Sequence, residues 1–175
     1  MNIAINIRTE TSADYAAITR VNDLAFGRPE EGQLVENLRT EENFEPQLSL
    51  VAAAKGNIVG HIVLLPVTIQ GADKIFTTLS LGPIAVIPEV QSQGIGGQLI
   101  ETSHQAALEL GYDSVVLLGH PGYYPRFGYR LANLWGLINP WSFDDEPWMA
   151  IELVPGALAG KAGLVQYPKV FNATT

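Results

Sequence analysis

Apolar and polar residues alternate from Ile3 to Arg8, with Ile3, Ile5 and Ile7 on one side, the period-two pattern of a half-buried strand. The period then lengthens. Thr11-Ser12-Ala13-Asp14 resembles a capping box with Asp in place of Glu, and Tyr15, Ile18, Val21 and Ala25 recur at helical spacing, predicting a helix that ends near Phe26-Gly27. A shorter helix is expected after Pro29, turning Leu34, Val35 and Leu38 inward, before the polar stretch from Thr40 to Gln47 breaks the pattern. From Leu48 to Val86 three apolar runs are separated by Lys55-Gly56-Asn57 and by Gly71-Ala72-Asp73-Lys74, which predicts an antiparallel meander. The third run contains Gly82-Pro83. Proline has no N–H to give to a ladder, so a bulge or a splayed edge is expected there.

After Gln91-Ser92-Gln93-Gly94-Ile95-Gly96-Gly97, Leu99, Ala106, Ala107 and Leu110 line one helical face until Gly111 caps the end. Ser114 to Leu118 is a short continuous apolar run, the pattern of a buried strand; a helical crossover leads to it, which makes it parallel to its predecessor. An aromatic-rich segment, Gly119 to Tyr129, comes next, followed by strand-like runs around Met149 to Val154 and Leu164 to Tyr167. The order predicts an α/β domain of the α+β type, a mixed, mostly antiparallel sheet flanked by helices, with residues 1–175 as a single domain.

Composition narrows the chemistry. The chain has no cysteine, which excludes disulfides, a thiolate nucleophile and zinc sites built on sulfur. His61, His104 and His120 show no ligand spacing, so no metal is expected. A formal net charge of −8 with no basic cluster argues against nucleic acid, and no stretch approaches the ~20 apolar residues of a spanning helix. The N-terminus lacks the pattern of a secretory signal, so a cytoplasmic protein is expected, and the low charged fraction, 16%, leaves room for a homodimer. The acidic run Asp144-Asp145-Glu146, between Trp141 and Trp148, reads as a charged surface turn, with attraction of a cationic substrate as the alternative.

A strand, a glycine-rich turn and a helix start are the parts of a phosphate cradle: glycine lets main-chain N–H groups approach an anion, and the helix N-terminus carries partial positive charge. A plain strand-to-helix turn would also use these glycines. A P-loop is excluded because no Lys-Ser or Lys-Thr follows, and a dinucleotide fingerprint is disfavoured by Leu99 and by the antiparallel strands that precede the turn.

Gln91-x-x-Gly94-x-Gly96, after a strand ending Gly82-Pro83-Ile84-Ala85-Val86-Ile87-Pro88, resembles the acetyl-CoA signature of the GNAT N-acetyltransferases. The order of elements resembles that family over nearly the whole chain. The run Tyr123-Tyr124-Pro125-Arg126-Phe127-Gly128-Tyr129 is similar to a segment of its YhbS-like branch, departing at Tyr129, where phenylalanine is usual.

The resemblance implies acetyl-CoA as cosubstrate, with the pantetheine arm in a gap between splayed strands, against the main chain of Ile84, Ala85 and Val86. The pyrophosphate would rest on the N–H groups of Gln91, Ser92, Gln93, Gly94, Ile95, Gly96 and Gly97. Tyr124 aligns with the tyrosine that protonates the departing thiolate, while Tyr123 and Phe127 fit packing roles. The general base is left among Glu89, His120 and water, and the acceptor is an amine on a small molecule or a peptide. A catalytically silent acyl-CoA sensor of the same fold is the alternative. His61 is expected to be a satisfied sheet residue, and His104 to face outward from its helix without a role.

Overall fold

The computed structural model describes residues 3–141 and 147–174, so Asp144, Asp145 and Glu146 lie outside the described residues. β1 (Asn6–Thr9) begins later than the alternation suggests. Its partner β2 (Ser49–Ala54) turns away at Lys55-Gly56, just beyond the Asn6↔Ala53 pair, which leaves Ile3 and Ile5 no strand to pair with. They keep the pattern all the same, half-buried with Ile7 against the main core. α1 (Tyr15–Phe26) stops at Gly27, whose left-handed φ of 68° ends the helix, and α2 (Glu30–Leu38) follows Pro29 as expected.

The meander is β2, β3 (Asn57–Gln70) and β4 (Ile75–Val86), each antiparallel to the next. α3 (Ile95–Glu109) crosses back to β5 (Ser114–Leu118), which lies parallel to β4. Two short strands escape the sequence pattern, β6 (Arg130–Leu131) and β7 (Leu137–Ile138). β8 (Trp148–Glu152) and β9 (Gly163–Gln166) complete the sheet. Its order is β1-β2-β3-β4-β5-β8-β6; β9 pairs with the far end of β3, beyond β2, and β7 runs parallel to β9.

Strand alternation divides the apolar residues between two faces. Leu50, Ala52, Leu64, Leu79, Val115 and Leu117 meet Leu99 and Ile100 of α3. On the opposite face Val63, Leu65, Val67 and Val116 meet Leu34 and Leu38 of α2, while Ile18 of α1 packs with Val35 and Val51. Each such Val, Leu or Ile side chain, fully removed from water, contributes about 1.5–3 kcal/mol.

A buried polar cluster pins β1 to this second face. Arg39 at the end of α2 donates to Glu10 through Nε and Nη2, at 2.9 and 3.1 Å, and the Ser49 hydroxyl donates to Glu10 Oε2 at 2.6 Å. The Ser49 oxygen is thereby left to accept from His61 Nε2 at 2.9 Å. Burial alone would raise the Glu10 carboxyl, but the His61 ring 3.6 Å away and the bonds from Arg39 and Ser49 outweigh that and hold it at about 2. His61 is only half satisfied. Its Nδ1 is buried without a partner, and burial keeps the ring neutral.

Candidate active site

β4 and β5 are paired only at Leu79↔Val115 and Ser80↔Val116; β4 then continues to Val86 and β5 to Leu118 with nothing bridging them. The cause lies in β4. Ile62 pairs with Ile84 and Leu64 with Leu81, so Gly82 and Pro83 together face Val63, a bulge that bends the strand; the Gly82-Pro83 peptide is cis. The resulting wedge opens a cavity of about 460 Å³. Ile87 donates its N–H to Val59 C=O at 2.9 Å, on the β3 side. Alternation therefore turns the main-chain groups of Ala85 toward β3 and those of Ile84 and Val86 toward the wedge.

One end of the wedge leads to the glycine segment. Gln91 is largely occupied there: its N–H reaches Pro88 C=O at 3.4 Å and its side-chain amide donates to Val86 C=O at 2.8 Å. Ser92 (φ 62°) and Gly94 (φ 83°) adopt left-handed backbone, which folds the chain into a concave turn at the start of α3. The first bond of α3 runs from Gln98 N–H to Gly94 C=O at 3.1 Å, so the N–H groups of Ile95, Gly96 and Gly97 are the open donors of a helix start. Such a turn fits a diphosphate without any basic side chain.

The same open end is aromatic on its β5 side. A short 3-10 helix, Tyr124–Phe127, follows Gly119-His120-Pro121-Gly122-Tyr123, and Tyr124 faces the cavity together with Leu118, Gly119 and His120. Its ring lies so close to Gly119 that a β-carbon there would sit 2.2 Å from Tyr124 Cε2. Tyr123 takes a different direction. Its hydroxyl rests over Gly96, where a β-carbon would approach it to 2.8 Å, and Phe127 covers Gly97. The glycines of the cradle thus also admit these two rings.

His104 departs from expectation. It turns from α3 toward Tyr129, with Nε2 and the buried Tyr129 hydroxyl 2.8 Å apart, and the Tyr129 ring meets Tyr124 edge to face at 5.8 Å between centroids. The hydroxyl that separates Tyr129 from the usual phenylalanine is therefore anchored on α3. Burial lowers His104 from 6.5 to about 4. Above pH 6.5 the ring is neutral in both folded and unfolded chains; between about 6.5 and 4 only the unfolded chain takes up the proton, so stability falls as pH falls through that window. At ~1.4 kcal/mol per pKa unit the loss is about 3 kcal/mol. Thermal melts from pH 7.5 to 4 should show it, and His104→Gln should flatten the slope; an unchanged slope in that variant would refute the assignment.

The candidate bases part company. Glu89 is exposed and does not reach the cavity. His120 reaches it, but its Nδ1 accepts the Gly122 N–H at 3.1 Å, which leaves the proton of the neutral ring on Nε2. The carboxylate that does line the cavity is Glu31, in the first turn of α2, where the sequence suggested only a helix start. Trp141, Tyr167 and Phe171, also unforeseen, complete the far wall. Trp148 instead donates its indole N–H to Leu137 C=O at 3.2 Å and packs into the core of the α2 face. Among the described residues no group of three His, Asp or Glu side chains could hold a metal, and no helix is long and apolar enough to cross a membrane.

A family model described as an acetyltransferase (GNAT) domain matches residues 6–132. The chain belongs to the GNAT acetyltransferase family. Among its relatives is an uncharacterized N-acetyltransferase of Escherichia coli K12, YjhQ, 40% identical over 154 residues, which are 85% of this chain and 85% of that protein. Among solved structures, YhbS from Escherichia coli in complex with CoA superimposes with a TM-score of 0.89 at 31% identity, covering 97% of this chain and 93% of the other. A GNAT family acetyltransferase from Brucella melitensis in complex with acetyl-CoA gives 0.77 at 33%, covering 96% and 98%. This GNAT protein is thus an acyltransferase by class, with the mixed, mostly antiparallel sheet of its relatives. The matched segment contains the wedge, the glycine turn and Tyr124, whereas Trp141, Tyr167 and Phe171 fall beyond it.

Proposed function

We propose that this GNAT protein transfers the acetyl group of acetyl-CoA directly to a primary amine of a small molecule or peptide, in a ternary complex, as a cytoplasmic enzyme. The observation that carries this reading is the unpaired wedge itself, whose β4 side runs on to the helix start of α3 with its open N–H donors and whose β5 side runs on to Tyr124. The CoA complex of YhbS and the acetyl-CoA complex of the Brucella protein support it. The diphosphate is held by main-chain N–H groups in the Ser92–Gly97 turn, with the macrodipole of α3 behind them. The pantetheine arm lies along β4, where Ile84 and Val86 offer main-chain groups; contact with Val86 C=O requires the Gln91 side chain to yield.

In the reaction the amine nitrogen attacks the thioester carbonyl carbon, a C–N bond forms, and the C–S bond breaks with its electron pair on sulfur. The Val86 N–H is aimed where the carbonyl oxygen gains charge. Tyr124 gives its phenolic proton to the departing sulfur, and the proton lost by the new C–N centre restores the tyrosine.

Without cysteine there is no thiolate to carry an acetyl intermediate. Initial-rate plots should therefore intersect when both substrates are varied. Parallel lines together with an isolable acetyl-enzyme would overturn direct transfer. Tight CoA binding with no thiol release across a broad amine panel would replace the enzyme by a sensor.

A further inference from the structure

The wall of the cavity away from the glycine turn has a chemistry of its own. Trp141 and Tyr167 stand 4.4 Å apart between ring centroids, and Tyr167 and Phe171 stand 5.0 Å apart, edge to face. Ser80 fixes the middle ring by donating its hydroxyl proton to the Tyr167 oxygen at 2.9 Å. The same Ser80 is the last β4 residue paired with β5, so the aromatic wall is built onto the apex of the wedge.

Glu31 lines the same cavity. Among the described residues lining the cavity it is the one carboxylate, and no lysine or arginine lines the space. Its side chain is 13% exposed, against 58% for Arg28, which holds both carboxylate oxygens through Nε at 3.0 and 3.1 Å. Arg28 itself does not line the cavity, so of this ion pair the carboxylate side chain is the member that reaches it. The negative charge of the whole chain, −8, favours the approach of a cation. A cavity with six Phe, Tyr and Trp rings, one carboxylate and no lysine or arginine among its described lining residues complements an amine attached to something flat and apolar. An amino sugar or a polyamine would need many more polar partners than this wall presents.

We propose that the acceptor is an arylalkylamine, its ammonium held by Glu31 and its ring stacked on the Trp141–Tyr167–Phe171 wall. The assignment rests on the amine-acetyltransferase reading above and names its acceptor. Glu31 takes one proton from the ammonium and passes it to solvent, which frees the lone pair that forms the C–N bond. The second proton leaves after attack to restore Tyr124, whose own proton has gone to sulfur. The sum is one amide, one free CoA thiol and one proton released. Before deprotonation the cation is also attracted by the ring faces.

Thiol release from acetyl-CoA tests this with 2-phenylethylamine, n-butylamine and spermidine as acceptors. The expected kcat/KM for 2-phenylethylamine exceeds that for n-butylamine by about 10-fold or more, as a buried ring contact provides. Glu31→Gln should raise KM for 2-phenylethylamine about 10-fold or more, since the charged bond is lost, with acetyl-CoA affinity unchanged. Arg28→Gln breaks the same ion pair but keeps the carboxylate, and should leave most of the activity. Phe171→Ala should erase the preference for the ring. Equal use of n-butylamine or spermidine, or an unchanged KM in Glu31→Gln, would overturn the acceptor class while amine acetylation stands. Preference for octanoyl-CoA over acetyl-CoA without any preference for the ring would overturn it too, by giving the aromatic wall to the acyl chain. Acetyl-CoA binding with no turnover of any amine would instead sink the enzyme reading itself.

Discussion

Tyr124→Phe is expected to lower kcat by about 10²-fold or more while acetyl-CoA affinity is largely kept, because the proposed general acid acts on the leaving sulfur in the transition state and contributes little to the ground state. The packing makes this substitution clean. The Tyr124 ring is held by Gly119 beneath it and by Tyr129 at its edge, and phenylalanine keeps both contacts. Tyr123→Phe is the matching control, since Tyr123 also lines the cavity but sends its hydroxyl over Gly96. Steady-state kinetics of the two variants decide the matter. A slower Tyr123→Phe enzyme would move the acid to Tyr123, and a rise in KM alone for Tyr124→Phe would reduce that residue to a positioning role.

Gly96→Val is expected to weaken acetyl-CoA binding about 10-fold or more in a protein that stays folded, since at the proposed cradle a side chain on the helix start would intrude on the diphosphate. The backbone itself accepts valine, because Gly96, unlike Gly94, does not use left-handed φ. Two obstacles are present at this position. The new side chain meets the diphosphate from one direction and the Tyr123 hydroxyl, 2.8 Å from its β-carbon, from another. Calorimetric titration of Gly96→Val with and without Tyr123→Phe separates them. A loss that persists in the double variant belongs to the diphosphate, and a loss that disappears belongs to the displaced tyrosine. Full affinity in a folded Gly96→Val protein would remove Gly96 from the cradle.

Long periodic runs made most of the fold legible: α1, α2 and the β2–β4 meander stand where hydrophobic spacing puts them, and Gly82-Pro83 marked the bulge. Strands of two residues, such as β6 and β7, are too short to show an alternation. The start of β1 depended on where its partner turns away, which the residues of β1 do not encode. His104 was misplaced for a geometric reason. The buried face of α3 is Ile95, Leu99, Ile100, Ser103 and Ala107, a stripe that includes a serine and borders His104; Leu110 and Ala106, taken as part of the apolar face, sit at its margin. The glycine turn and the Tyr124 segment are contiguous in sequence and could be read together with their neighbours. Glu31, Trp141 and the pair Tyr167 and Phe171 come from three places in the chain and line one cavity only after folding.

α3 grips at both of its working ends: its first turn offers the donors for the diphosphate, and His104, farther along, holds the tyrosine that braces Tyr124. In the proposed acetyl-CoA complex the helix is therefore a ruler laid between the diphosphate and the tyrosine at the reactive end. From Gly96 to His104 it spans roughly 12 Å at ~1.5 Å per residue, and each residue turns the helix by about 100°. Adding or deleting one residue between the two marks would swing His104 away from Tyr129 and shift the gauge by a residue's rise.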